Sequence, residues 1–345
     1  MGRLMHGHAS LTIYHRHVVE NYITLNNLSR GSSAAVVKAN AYGTGAAPLI
    51  PKLAEAGAKD FFVAQPSEFT QVAPHVPKQA RIYVLNGAAL LDQDMLRDKR
   101  LVPVVNNKQD QYLLRSHKGP VAFHIDTGMK RLGFLHDDWA SLPKSPYLLM
   151  SHFSCADEDD DITNSQINQF QNALDLIRPE RASMANSAGI IHHPSSHHDL
   201  TRPGIGLYGG LAFCGVKNVL TLSAKILQAN PLQPGDHVGY GATFAADMPI
   251  TAYTLGIGYA DGLPRHLSNK AYRTKDGLSI RFLGRVSMDS CVITVQNASF
   301  CEGQWVDLIN SPEDLASLAG EAGTISYELL TGIGNQFRGQ KMHVI

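Results

Sequence analysis

The chain has 345 residues, 44% of them hydrophobic, with thirty Lys and Arg balanced by thirty Asp and Glu. That length exceeds one average domain and predicts either a single large α/β barrel or two domains. With a formal charge of zero and no long basic run, nothing in the composition suggests electrostatic capture of nucleic acid or of an anionic membrane surface.

From residue 34 to about 204, short apolar runs recur at Ala34–Lys38, Phe61–Ala64, Ile82–Leu85, Leu101–Val105, Val121–Asp126, Tyr147–Phe153, Arg181–Ser187 and, weakly, Asp199–Gly204. Several intervening stretches, such as Ala47–Ala58 and Gln166–Ile177, space their apolar residues helically. Eight alternating units of this size predict a parallel (β/α)8 barrel. After about Val219 the texture changes to short β-like segments at Thr221–Gln228, Ala252–Ile257, Ile280–Phe282, Cys291–Val295 and Trp305–Leu308, with turns such as Gln233-Pro234-Gly235-Asp236. This predicts a mostly antiparallel β domain, with a barrel over 1–218 and the β domain over 219–345.

The four scattered cysteines, Cys155, Cys214, Cys291 and Cys301, include no CxxC pair, which argues for reduced thiols rather than a disulfide framework or zinc site. The opening Met1–His8 has no apolar signal core, and His6 stands where a myristoylation signal needs Ser or Thr. No uncharged apolar run approaches membrane-spanning length, so a soluble, cytoplasmic protein is expected.

In such a barrel, chemistry collects at the C-terminal ends of the strands. The first run ends in Lys38 and the fifth enters Asp126-Thr127-Gly128-Met129-Lys130-Arg131. The sixth ends in Ser151-His152-Phe153, the seventh in Asn186-Ser187-Ala188-Gly189, and the eighth in Arg202-Pro203-Gly204-Ile205-Gly206. A lysine at the end of a buried strand loses hydration, which lowers its pKa and makes it a nucleophilic amine able to form Schiff bases. Snorkelling to water is the alternative for that residue. The last two strand ends offer a hydroxyl and glycine-permitted N–H groups suited to a phosphate dianion. Lysine and phosphate cradle together describe a site for pyridoxal 5'-phosphate.

With these motifs in view, the chain resembles the alanine racemases, fold-type III pyridoxal phosphate enzymes, over nearly its whole length. The matching segments are Val37–Gly43, Asp126–Gly133, Arg202–Gly209, Gly239–Thr243, Gly258–Gly262 and Gly284–Asp289. The resemblance implies that Lys38 carries the cofactor and acts as one base, while Tyr240 of the partner subunit in a homodimer acts on the opposite face. Free tyrosine titrates near about pH 10 and needs help to act as a base; the family pattern supplies His152, oriented by Arg202. Arg202 is also implied as the partner of the pyridine nitrogen, and guanidinium does not give up its proton. Arg131 and the N–H of Met288, again from the partner subunit, are implied to take the substrate carboxylate, with Arg131 also near the cofactor's phenolic oxygen. Tyr42, Ser187, Gly204, Ile205 and Tyr327 are implied phosphate contacts, and Tyr259 and Arg265 line the substrate entry. No metal is expected. The implied activity is interconversion of L- and D-alanine, supplying D-alanine for peptidoglycan.

Two positions depart from the family pattern. His124 stands where many members carry a lysine, often carbamylated, leaving Arg131 to be positioned otherwise, by an anion or water. Ser183 replaces a histidine that buttresses the Arg202 equivalent in some members.

Other functions compete with this one: a racemase for serine or a broader set of amino acids, a non-catalytic pyridoxal phosphate carrier, or a decarboxylase of related fold. Locally, His152 could be a core histidine, Arg202 a structural ion-pair residue, Tyr240 a packed aromatic, and Arg131 a partner of Asp126. Gly204–Gly209 matches GxGxxG but opens no βαβ unit and has no acid about 20 residues on, so a dinucleotide site is rejected. The acidic run Asp157–Asp161 lacks EF-hand spacing and reads as a solvated loop. His192, His193, His197 and His198 read as an exposed histidine-rich helix or loop.

Overall fold

Seven of the apolar runs become the strands of one parallel sheet. The structure is a computed structural model describing residues 7–344; the start of the opening segment considered above, through His6, lies outside the described residues. Val19–Ala41 and Gly45–Leu207 form one compact unit, and Tyr42–Thr44 groups with the second, which contains Tyr208 onward and the N-terminal strand.

In the first unit, strands Ala35–Val36, Asp60–Val63, Arg81–Val84, Leu101–Val105, Ala122–His124, Leu148–Met150 and Ala182–Ser183 pair in parallel in chain order. Phe61 lies opposite both Ala35 and Ile82 in register. Phe61, Phe62, Val63, Ile82, Leu148 and Leu149 are all fully buried, as strands covered on both faces require. The weak eighth run supplies Leu200–Thr201, which pairs with Ser32–Ser33. It closes the ring: Ala34 N–H donates to Thr201 O at 2.8 Å on one side, and Arg202 N–H to Ala185 O at 2.8 Å on the other. Regular pairing is short there for two reasons. Pro203 has no N–H to give, and Ser33, Thr201 and Ser29 join hydroxyls, with Ser33 to Thr201 at 2.7 Å.

The helix Ala46–Glu55 matches its expected position, whereas the expected Gln166–Ile177 helix begins earlier and spans Asp160–Ile177. Asp159 caps it by accepting the Ile162 N–H at 2.9 Å, and Asp160 and Asp161 place carboxylates in its first turn. The acidic run is therefore in part a helix start and not a loop throughout. The histidine segment also needs correction. His197 is buried, with Nε2 on Ile190 O at 2.9 Å and Nδ1 accepting the Arg30 N–H at 3.1 Å. His198 packs edge-on against Phe170; His192 is exposed.

The second unit is built on Leu220–Leu232. This strand pairs antiparallel with Ala9–Tyr14, Ile250–Leu255 and Trp305–Ile309. Cys291–Gln296, Ser279–Phe282 and Ala271–Arg273 extend the sheet antiparallel beyond Ile250–Leu255. At the other edge Gln340–Val344 pairs parallel with Ala9–Tyr14. Helices Pro312–Glu321 and Ser326–Gln336 complete it, the first capped by Ser311 Oγ accepting from Asp314 N–H at 3.0 Å. Gln233–Asp236 is a tight turn, closed by Asp236 N–H on Gln233 O at 3.0 Å. The four cysteines are free thiols. No helix among the described residues is long and apolar enough to cross a membrane.

Candidate active site

Lys38 stands where the first barrel strand gives way to an unusual turn. The strand ends at Val36, and Ala39, Asn40, Ala41 and Tyr42 follow with φ of 52°, 55°, 54° and 54°. Left-handed backbone costs an L-residue roughly 1–2 kcal/mol, so the surroundings must hold this turn. Glu68 does so. Its Oε1 accepts the Ala39 N–H at 2.6 Å and its Oε2 the Ala64 N–H at 2.5 Å, joining the ends of two adjacent strands. Burial, aided by the Arg131 charge, lowers the Lys38 pKa, and the Glu68 carboxylate opposes that shift. The result is a half-buried amine that feels the charge of one cation and one anion.

The ends of strands six to eight place His152, Arg202 and Ser183 in one chain of contacts. Arg202 is almost wholly buried, and burial pushes its pKa down to about 9. Its Nη1 donates to Ser183 Oγ and its Nη2 to Ser151 O, both at 2.5 Å. The Ser183 hydroxyl in turn donates to Leu200 O at 2.5 Å. The serine thus serves as the buttress of Arg202. Nη2 also reaches His152 Nδ1 at 3.3 Å. A guanidinium only donates, so that nitrogen is the acceptor and neutral His152 carries its proton on Nε2. Burial and the Arg202, Arg131, His124 and Lys38 environment hold His152 well below the usual imidazole pKa.

The cradle at strands seven and eight forms as expected. Asn186 caps the turn of helix Ser187–His192 by accepting the Gly189 N–H at 2.9 Å. Gly204 N–H and Gly206 N–H both converge on Ser187 Oγ at 3.0 Å. A Cβ on Gly206 would lie 3.1 Å from Leu25 Cδ1 and 3.2 Å from Ser187 Oγ, crowding this concave wall. Ile205 opens the short 3-10 turn Ile205–Tyr208. A hydroxyl with convergent backbone N–H groups fits a phosphate dianion, and the Lys38 amine fits an aldehyde on the same molecule.

Arg131 is exposed and forms no ion pair among the described residues. The Asp126 carboxylate instead accepts the Gly128 N–H at 2.6 Å, so pairing with Asp126 is not the role of Arg131.

The remaining expected residues belong to the second unit. Tyr42 stacks on Tyr208 with centroids 4.7 Å apart and lies 6.3 Å from Tyr327; burial raises its phenol pKa. Tyr240 opens the 3-10 turn Tyr240–Ala242 and is 73% exposed, which excludes a packed core aromatic. Tyr259 and Met288 are brought together: Tyr259 N–H donates to Ser287 O and Ala260 N–H to Met288 O, each at 3.0 Å. A Cβ on Gly258 would come within 2.3 Å of Met288 O, so only glycine allows this approach. Arg265 starts the turn Arg265–Leu267 after Pro264.

Three residues of the barrel mouth escaped the sequence analysis: Glu68, Asn106 and Gln166. Buried Gln166 donates to His152 O at 3.1 Å, and its Oε1 accepts from Ser154 N–H at 3.0 Å. Asn106 directly follows the fourth apolar run, and Gln65-Pro66-Ser67-Glu68 is a capping pattern. Those strand-end and cap positions were the available signals.

A closed parallel barrel with a half-buried amine and a phosphate cradle at its strand ends defines a class: barrel enzymes whose chemistry turns on a lysine. Residues 13–212 match the family described as alanine racemase, N-terminal domain, and residues 219–340 match alanine racemase, C-terminal domain. The chain is 39% identical over 337 residues to an alanine racemase of Jannaschia sp. strain CCS1, spanning 95% of this chain and 97% of that protein. It is 36% identical over 342 residues to a catabolic alanine racemase of Agrobacterium fabrum, spanning 92% and 88%. The crystal structure of alanine racemase from Bartonella henselae with covalently bound pyridoxal phosphate superposes with a TM-score of 0.87 at 31% identity, covering 98% of this chain and all of that one. This chain belongs to the alanine racemase family.

Proposed function

We propose that this protein interconverts L- and D-alanine with pyridoxal 5'-phosphate, as a homodimer in which segment 219–345 of each chain completes the site on the 1–218 barrel of the other. The observation that carries this is the half-buried Lys38 amine, under the opposing charges of Arg131 and Glu68, in the same barrel as the Ser183–Arg202–His152 chain.

When bound, the cofactor supplies an aldehyde for Lys38 and a conjugated ring that accepts the electron pair left at Cα. Ser187 and the backbone of Gly204 and Ile205 hold its phosphate, with Tyr42 and Tyr327. Arg202 would pair with the ring nitrogen, and because a guanidinium only donates hydrogen bonds, that nitrogen would be left as an unprotonated acceptor. Arg131, with Met288 of the partner subunit, binds the substrate carboxylate. Tyr259 and Arg265 line the entry.

Racemisation removes a proton from one face of Cα and returns one to the other. Lys38 Nζ serves one face. Tyr240 of the partner subunit serves the other, and the Nε2–H of His152 donates to the phenol oxygen and favours its ionised form. The high exposure of Tyr240 in a single chain supports this division of labour, because a base needs an enclosing pocket. The protein works in the cytoplasm, and its D-alanine feeds peptidoglycan synthesis. Borohydride reduction of the cofactor-loaded protein, then peptide mass spectrometry, should find the pyridoxyl adduct on Lys38; an adduct on another lysine would remove Lys38 from the role.

A further inference from the structure

The turn that follows Lys38 ends in a contact between two glycines. Gly43, with φ of 82°, lies against Gly334 of the helix Ser326–Gln336. A Cβ on Gly334 would come within 2.6 Å of Gly43 Cα and of Gly43 O, and one on Gly43 within 2.7 Å of Gly334 Cα. Only glycine at both positions lets backbone meet backbone so closely. Lys341, in the strand Gln340–Val344, ties the two together: its Nζ donates to Gly43 O at 2.8 Å and to Gly334 O at 2.6 Å. Gly334 stands in the last turn of its helix, where carbonyls lack intrahelical partners and a cation meets the negative end of the dipole. The next carbonyl along the turn, Thr44 O, accepts the Nε2–H of buried His15 at 2.9 Å, so the carbonyls of residues 43 and 44 are both held. Two tyrosines ride on this contact. Tyr42 directly precedes Gly43, and Tyr327 lies seven residues before Gly334, two helical turns away on the same face. Their ring centroids are 6.3 Å apart.

We propose that Lys341 is a positioning residue for the cofactor phosphate: by joining Gly43 O to Gly334 O it fixes the separation of Tyr42 and Tyr327, so that both phenols reach one phosphate. The inference rests on the racemase function proposed above, in which these two tyrosines contact the phosphate, and adds what holds them relative to each other. The Lys341 ammonium is engaged by two carbonyl oxygens, so it acts through the backbone and not by touching the phosphate itself.

The test compares two ligands. The full-length protein, loaded in parallel with pyridoxal 5'-phosphate or with pyridoxal, which keeps the aldehyde for Lys38 but has no phosphate, is dialysed to equilibrium and the bound ligand read by absorbance. Lys341→Met keeps the apolar stem and removes the donors. It should weaken pyridoxal 5'-phosphate about tenfold, the size expected for one lost hydrogen bond from a charged group, and leave pyridoxal unchanged. Lys341→Arg, which can still donate to two carbonyls, should recover most of that loss. If Lys341→Met does not fold, Lys341→Gln, with an amide donor for one carbonyl, carries the same comparison with a smaller loss. A folded variant that binds pyridoxal 5'-phosphate as tightly as the unmodified protein, or that loses both ligands equally, would overturn the proposal, as would Lys341→Arg behaving like Lys341→Met. Failure of the loaded, unmodified protein to turn over alanine would instead overturn the functional assignment, while the ratio of the two affinities would still decide the role of Lys341.

Discussion

Glu68→Gln tests the link between the strained turn and the chemistry of Lys38. Ala39, Ala41 and Tyr42 hold left-handed backbone with φ near 52–54°, at roughly 3–6 kcal/mol for the three residues together. The two Glu68 bonds, 2.6 Å to Ala39 N–H and 2.5 Å to Ala64 N–H, are charge-assisted, and two such bonds contribute about 3–6 kcal/mol, enough to offset the turn. Glutamine keeps one acceptor oxygen but turns an NH2 towards the other backbone N–H. The loss is therefore one charged bond plus a donor facing a donor, about 3 kcal/mol. Thermal unfolding followed by fluorescence should show Tm lower by roughly 6–12 °C for a unit of this size. The electrostatic effect has a definite sign as well. Glu68 raises the Lys38 pKa against burial and Arg131, so its removal should lower that pKa further. The rate of reductive methylation of Lys38 in cofactor-free protein, followed against pH by mass spectrometry, reads this directly. A Tm within a degree or so of the unsubstituted protein and an unmoved labelling curve would refute the clamp.

Tyr240→Phe should abolish most inversion while one enantiomer of alanine still exchanges its α-proton with D2O through Lys38; symmetric loss of both exchanges would count against two separate bases. Gly206→Ala brings a methyl to 3.1–3.2 Å from Leu25 and Ser187, and equilibrium dialysis should find cofactor affinity weakened about tenfold, equivalent to about 1.4 kcal/mol, with unaltered affinity arguing against a phosphate at that wall. The pH dependence of stability follows from His124, whose folded-state pKa is about 3, and from His152, well below normal. Unfolded histidines titrate near about pH 6.5, so these two contribute stability that is complete above that value and is lost as pH falls towards about 3, by roughly 1.4 kcal/mol per pH unit for each ring. Denaturant midpoints taken between about pH 6.5 and about pH 5 should fall accordingly, with a shallower slope in His124→Gln; a flat profile would show that the rings are protonated in the folded state.

The barrel was legible because buried parallel strands are continuous apolar runs, and Phe61–Ala64 or Leu101–Val105 look like little else. The eighth strand was faint because Thr201 pairs through hydroxyls and Pro203 breaks the ladder. The strand Ala9–Tyr14 went unread: its partners, Leu220–Leu232 and Gln340–Val344, lie more than two hundred residues away, and no local pattern reports such pairing. The helices Pro312–Glu321 and Ser326–Gln336 were likewise missed in a segment read for β texture. At the mouth, Lys38, His152 and Arg202 stood out as charged or titratable residues closing apolar runs. Glu68, Asn106 and Gln166 did not, because they act on backbone atoms and ring nitrogens whose positions exist only once the strands are aligned. Ser183 shows the same limit from the other side. As a letter it looked like a lost histidine, and as a hydroxyl at 2.5 Å from Arg202 it does the buttressing.

The most direct test is to incubate the purified, cofactor-loaded protein with L-alanine in D2O and follow α-proton loss together with the enantiomers by chiral chromatography. D-alanine carrying deuterium at Cα is the predicted result. L-alanine recovered with neither inversion nor exchange would contradict the assignment of alanine as substrate.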